Sequence, residues 1–182
     1  MSAGSCEESV SAVLDTLFDG AILLAGDPVR AEALVVDATS GACTDYARSY
    51  TGADFDIWLI TRMIRRWFDA HGLVDIDDSI LDADVRRPGH LDDVLVELTR
   101  IETDDPDALP DLVRRAMSEL PLAQRAVLWL VNVVGFSYAD AARAVGSDRF
   151  VVAETLFAAR RSLQYLLAVA LRSGNRADAG AA

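Results

Sequence analysis

The chain has 182 residues, with 17 basic and 29 acidic side chains and a net charge of −12, and every basic residue is arginine. Apolar residues make up 52%, which excludes a disordered acidic tail and fits one ordinary domain or two small ones. So negative a surface excludes indiscriminate binding to nucleic acid, while leaving room for a local basic patch.

The first ten residues carry Glu7 and Glu8 and no basic start, unlike a secretory signal. Val10, Val13, Leu14, Leu17, Ala21 and Leu24 recur at three- and four-residue steps, the spacing of one helix face. Gly26 ends that helix. Asp27 is placed to cap the next, with Pro28 in its first turn, where a missing N–H costs nothing. Ala31, Leu34, Val35, Ala38 and Ala42 continue the second helix toward Tyr46, with Gly41 as its weak point. Asp54 is placed to cap a third, whose apolar side holds Ile57, Trp58, Ile60, Ile64, Trp67 and Phe68. His71 and Gly72 close this block. The two cysteines, Cys6 and Cys43, read as small reduced side chains of a cytoplasmic protein rather than a disulfide or a redox pair.

Residues 71–109 hold twelve acidic residues and three arginines, with Pro88, Gly89 and Pro106. They read as an acidic linker containing one short amphipathic helix at Leu91, Val94, Leu95, Leu98 and Ile101. Residues 1–110 carry −15 and residues 111–182 carry +3, so two units of opposite electrostatic character are expected. Asp75, Asp77, Asp78, Asp82 and Asp84 do not make a calcium loop, because the sixth and twelfth positions counted from Asp75 are Ile80 and Arg86. His71 and His90 lack paired metal-ligand spacing. No phosphate-binding glycine loop or nucleophile elbow is present, so no cofactor and no enzyme activity is expected.

The last block is helical again. Pro110 opens a helix through Leu112, Val113, Ala116 and Met117. Leu120 and Pro121 break it and start another, through Arg125, Leu128, Leu130, Val131 and Val134 to Gly135. Ser137 stands three residues before Asp140, a capping-box-like start for a short helix that Gly146 ends. Asp148 is placed to cap a final helix with the buried stripe Val152, Leu156, Ala159, Leu163, Leu166, Leu167 and Ala170. A short helix, a tight glycine turn and a longer helix form a helix-turn-helix. The longest apolar run, residues 163–171, includes Gln164 and falls short of the ~20 residues that span a bilayer, so no membrane insertion is expected. The expected fold is all-α: a helical domain over residues 1–72, an acidic linker over 73–109, a helix-turn-helix domain over 110–173 and a disordered tail over 174–182.

The segments Leu120-Pro121-Leu122-Ala123-Gln124-Arg125, Gly135-Phe136-Ser137-Tyr138-Ala139-Asp140-Ala141-Ala142 and Arg160-Arg161-Ser162-Leu163 resemble bacterial sigma factors of the extracytoplasmic-function group. Gly26-Asp27-Pro28, Ala31-Glu32-Ala33-Leu34-Val35, and Phe55 with Trp58-Leu59 add a weaker match. The resemblance implies a protein that binds core RNA polymerase and promoter DNA. Its N-terminal domain would grip the polymerase and melt the downstream element. Its helix-turn-helix would read the upstream element in the major groove, and neither step is covalent catalysis.

The departures from the family pattern fall on its functional positions. Where the family usually opens its recognition helix with Gly-Thr-Val-Lys-Ser-Arg-Leu, this chain has Phe150, Val151, Val152, Ala153, Glu154, Thr155 and Leu156. The DNA-contact candidates are Arg143, Arg149, Ala153, Glu154, Arg160 and Arg161, with Glu154 placing a carboxylate where phosphates and base edges would lie. The polymerase- or partner-contact candidates are Glu32, Ala33, Val36 and Asp37, with Arg62, Arg65 and Arg66 beside Trp58, Trp67 and Phe68. Arginine interleaved with aromatics suits stacking on an unpaired strand; a core role for Trp58 and Phe68 is the alternative. Phe150 and Phe157, opposite the core stripe of the last helix, suggest a protein interface. Two functions therefore stand open. One is a sigma factor with weakened or altered promoter recognition. The other is a sigma-like regulator or mimic acting through an anti-sigma-like protein, another sigma-related protein or self-association.

Overall fold

The computed structural model describes residues 3–49, 54–71 and 109–179. Helices α1 (Ala3–Ala25), α2 (Pro28–Thr39), α3 (Ala42–Ser49) and α4 (Phe55–Ala70) form an N-terminal unit. Helices α5 (Leu109–Glu119), α6 (Leu122–Asn132), α7 (Tyr138–Val145) and α8 (Arg149–Ala179) form a C-terminal one. Among the described residues there is no strand, in agreement with the all-α expectation. The expected linker helix at Leu91–Ile101, the acidic cluster from Asp75 to Asp84 and His90 lie outside the described residues.

The caps explain the helix starts. The Asp27 carboxylate accepts from the backbone N–H of Val29 and of Arg30, both at 3.0 Å, and Pro28 fills the position whose N–H needs no partner. Asp54 takes the N-cap position of α4 in extended conformation, but its side chain makes no capping hydrogen bond. The second helix is shorter than its apolar spacing predicts. Gly41, at φ +67°, turns the chain after Thr39, and α3 starts as a separate helix. An apolar pattern at helical spacing continues across such a turn, which is why it hid the break.

The N-terminal core joins Leu17, Ala21 and Leu24 of α1, Ala31, Leu34, Val35 and Ala38 of α2, and Phe55, Leu59, Ile60, Met63, Ile64, Trp67 and Phe68 of α4. Cys6 is buried, and its Sγ is bonded to that of Cys43, with the two Cα atoms 5.9 Å apart. This corrects the reading of both cysteines as unpaired. The reason is tertiary: α3 folds back against the start of α1 across 37 residues of chain, a proximity that local spacing does not encode.

In the C-terminal unit, Ala126, Val127, Leu128, Trp129 and Leu130 of α6 meet Ala141, Ala142, Ala144 and Val145 of α7 and Val152, Leu156, Ala159, Leu163 and Leu167 of α8. Helix α8 continues to Ala179, six residues into the segment expected as a disordered tail. The apolar stripe of α8 anchors its first half, and an established helix adds residues at little further cost.

The two units pack against each other through α1 with α5 and α6, and through α4 with α7. The Trp129 indole lies close against α1 at Gly20. A Cβ there would stand 2.3 Å from Trp129 Cζ2, so only glycine admits the ring. Nearby, Arg125 donates to the backbone carbonyls of Leu23 (2.8 Å), Ser118 (2.8 Å) and Leu120 (3.0 Å). One guanidinium thus satisfies the ends of α1 and α5 together, carbonyls that a helix cannot satisfy itself. Burial pushes the Arg125 pKa down, and the carbonyl acceptors offset that desolvation.

Gly20→Ala separates these effects. Alanine favours a helix over glycine by ~1 kcal/mol, yet the overlap with Trp129 is expected to produce a net loss of ~1–3 kcal/mol in urea unfolding. A net gain in stability would show that the indole does not press on α1.

Candidate nucleic-acid and partner interfaces

The helix-turn-helix is built as its residues suggest. The Ser137 hydroxyl accepts from the Asp140 N–H at 3.1 Å and donates to the Asp140 carboxylate at 2.5 Å. Helix α7 ends at Gly146, which is left-handed at φ 74° and affordable there only to glycine among common residues. Asp148 then caps α8, accepting from the N–H groups of Phe150 (2.7 Å) and Val151 (3.0 Å). The hydrogen bond from Ser137, reinforced by Arg143, holds the Asp140 carboxyl below the ordinary carboxylate range.

The first turns of α8 present an unusual face for a DNA reader. Phe150 is 68% exposed, and Arg149, Glu154 and Arg161 are exposed, with Ala153, Phe157 and Ala158 half-buried. The guanidinium of Arg149 lies 5.1 Å from the Phe150 ring centroid and that of Arg161 5.9 Å from the Phe157 ring. Further along, Tyr165 is 68% exposed. Arg160 and Thr155 also make contacts within the chain. Arg160 turns back to donate to the Asn132 side chain at 2.6 Å, at the end of α6. Thr155, taken at the sequence level as a lost DNA contact, is buried in the core, because its position falls on the stripe shared with Val152 and Leu156.

On α2, Glu32, Ala33, Val36 and Asp37 are all exposed. With Val29 they leave a mixed surface of apolar and carboxylate side chains on α2, and Leu14 and Phe18 of α1 are exposed too.

The arginines of α4 are engaged within the molecule. Arg62 donates to the Asp45 carboxylate at 2.6 Å and to the Ser40 carbonyl at 2.9 Å, and stands over the Trp58 ring at 5.3 Å. Arg66 pairs with Asp37 of α2 at 2.5 Å. Arg65 reaches the other unit, donating from Nε (3.1 Å) and a terminal nitrogen (2.6 Å) to the Arg143 carbonyl near the end of α7. Arg143 itself pairs with Asp140. Together with Ile57, Trp58, Thr61 and Asp69 these side chains line a groove of about 430 Å³ between α4 and α7. Of the aromatics read as core or stacking residues, Phe68 and Trp67 are buried. Trp58 is half-buried, meeting Tyr46 edge-on at 5.3 Å. His71 Nδ1 lies 2.8 Å from the Trp67 carbonyl, with the two rings stacked at 3.8 Å.

Residues 111–163 match the family model for sigma-70, region 4. The helix-turn-helix unit is thus similar to a sigma-70 region 4. Across 171 residues the chain is 28% identical to the ECF RNA polymerase sigma factor EcfG of Rhodopseudomonas palustris (strain TIE-1), over 91% of this chain and 86% of that protein. Its fold matches the sigma factor RpoE of Bartonella quintana, solved in complex with the anti-sigma factor NepR. That match has a TM-score of 0.64 and 23% identity, over 91% of this chain and 98% of that chain. The chain is thus a sigma-factor-like transcription initiation factor. Sigma factors are a non-enzymatic family. Among the described residues no helix is long and apolar enough to cross a membrane.

The contact between α1 and α6 holds residues that sequence reasoning missed. Local spacing assigns no structural role to Arg125, Gly20 or Trp129. A glycine inside an apolar helical stripe is the one local signal of such a close approach.

The Asp45–Arg62 pair yields a pH prediction. The hydrogen bond from Arg62 holds the Asp45 carboxyl below the ordinary carboxylate range. A depressed folded-state pKa means that the pair's contribution is present above the ordinary value and is lost as pH falls through the folded one. The indole N–H resonance of Trp58, followed by NMR, should titrate with a midpoint below the ordinary ~3.9. That step should vanish in Asp45→Asn. A midpoint at or above the ordinary value would contradict the pairing.

Proposed function

We propose that this protein joins core RNA polymerase through its N-terminal unit and contacts promoter DNA weakly through region 4. In this reading residues 1–72 are a region-2-like domain, 73–109 a linker and 110 onward region 4. The observation that carries the proposal is the composition of the exposed α8 face. It sits on a properly capped helix-turn-helix, but offers Arg149 and Arg161 beside Phe150, Ala153, Glu154 and Phe157. Arg160 is held by Asn132 and Arg143 by Asp140, which leaves few cations for phosphates. The exposed row Glu32, Ala33, Val36 and Asp37 is the surface we assign to the polymerase, because it is the outward side of α2.

A second reading is favoured by one specific feature, the 68% exposure of Phe150 at the start of the reading helix. An exposed aromatic there suits a protein partner, such as an anti-sigma-like protein, another sigma-related protein or a second copy of the chain. The Bartonella protein, solved with its anti-sigma factor, makes that first partner class the one to test.

Anisotropy of labelled promoter fragments, titrated with salt, distinguishes the readings. With core polymerase present, binding is expected with a small region 4 contribution to the salt slope, about −2 for two phosphate contacts. Arg161→Ala should reduce the slope by about 1. No binding at low salt with core polymerase removes the promoter reading. In that case Phe150→Ala/Phe157→Ala should abolish association with a protein partner while leaving the fold intact.

A further inference from the structure

The disulfide joins the buried start of α1 to the shortest of the N-terminal helices. Helix α3 has eight residues, and of its side chains only Ala42 is fully buried. A helix this short is not stable alone. Three side chains tie it down. Cys43 is bonded to Cys6, Asp45 pairs with Arg62, and Tyr46 meets Phe55 edge-on at 5.1 Å and Trp58 at 5.3 Å. Asp45 and Tyr46 therefore occupy Arg62 and Trp58, the cation and the aromatic of α4 best suited to an unpaired nucleic-acid strand. Cys43 lies two residues before Asp45, so whatever holds the sulfur also positions the carboxylate.

We propose that Cys6 and Cys43 form a redox modification site that governs access to the Arg62–Trp58 face. Oxidation clamps α3 over that face, and reduction releases it. The nucleic-acid part of this statement rests on the proposed function above. That function places the chain with the genome, where thiols are kept reduced and disulfides are transient and redox-sensing.

The chemistry balances with a peroxide as oxidant and a dithiol as reductant. Cys43 is half-buried and Cys6 only 2% exposed, so Cys43 is the sulfur that a reagent reaches. Its thiolate attacks hydrogen peroxide, the O–O bond breaks, and the second oxygen leaves as water after protonation, giving a sulfenic acid. The Cys6 thiol then attacks the Cys43 sulfur, the S–S bond forms and the sulfenic oxygen leaves as a second water. Two electrons pass from the thiols to the peroxide. In reduction, one thiol of a dithiol attacks the Cys43 Sγ and Cys6 leaves as a thiol. The reductant's second thiol then displaces Cys43, so that the dithiol ends as a disulfide. Without the tether α3 is held by the part-buried Asp45–Arg62 pair, the Tyr46 ring contacts and the burial of Ala42. It frays, and Arg62 loses Asp45 while keeping the Ser40 carbonyl at the end of α2.

The test uses the full chain in reduced and peroxide-treated forms. Alkylation followed by mass spectrometry should find two free thiols before peroxide and none after, with both sulfurs linked within one molecule. Amide hydrogen exchange over residues 42–49 should be at least about tenfold faster in the reduced form. A short single-stranded thymidine oligonucleotide should bind the reduced form several-fold more tightly. Cys6→Ser should behave as the reduced protein even after peroxide, which guards against misfolding by one particular substitution. Thiols that stay alkylatable after peroxide, or equal exchange in both states, overturn the proposal. Changed exchange with an unchanged, measurable oligonucleotide affinity overturns the control of access. An oligonucleotide that binds neither form, with the exchange difference intact, counts against the nucleic-acid reading of α4 and supports the redox site itself.

Discussion

The contact between the Trp129 indole and the bare backbone of α1 at Gly20 sets the relation between the two units. A ring that large reaches α1 only because no Cβ stands in the way. Once it is seated, Arg125 lies within reach of the Leu23 carbonyl and closes the ends of α1 and α5 with one guanidinium. The same approach brings α7 onto α4, where Arg65 takes the Arg143 carbonyl. The groove lined by Trp58 and the arginines lies between the same two units.

Charge is deployed locally. The net −12 comes from the first 110 residues, while residues 111–182 carry +3. Within the described residues many arginines are already engaged: Arg62 with Asp45, Arg66 with Asp37, Arg143 with Asp140 and Arg160 with Asn132. Exposed pairs of this kind contribute little stability. Their consequence is that they decide which cations remain for a partner. What α8 offers outward is a pair of arginines each stacked beside a phenylalanine, a surface as suited to protein as to phosphate.

Much of the fold could be read from local chemistry. Asp27 with Pro28, Ser137 with Asp140, Gly146 and Asp148 each act within three residues of chain, and each took the predicted role. The helix-turn-helix follows from those caps and from the spacing of Val152, Leu156, Ala159 and Leu163. The misses share a different origin. Gly41 broke a helix inside an unbroken apolar pattern, and Thr155 turned inward. The link between Cys6 and Cys43, and the roles of Gly20, Trp129 and Arg125, depend on residues 37 to about 110 positions apart. Periodicity constrains a face of one helix and carries no information about which other helix will cover it. The candidate contacts on α2 were legible as a face, since Glu32, Ala33, Val36 and Asp37 are all exposed, but what they meet is a property of a second molecule.

The central claim is that one indole ring fixes the two units together. Nuclear Overhauser contacts between the Trp129 ring protons and the Gly20 Hα protons, measured on the intact chain in solution, test it most directly. The account predicts strong contacts from Hζ2 and Hη2 of Trp129 to Gly20. Their absence, in a sample where contacts within each unit are all present, would contradict it.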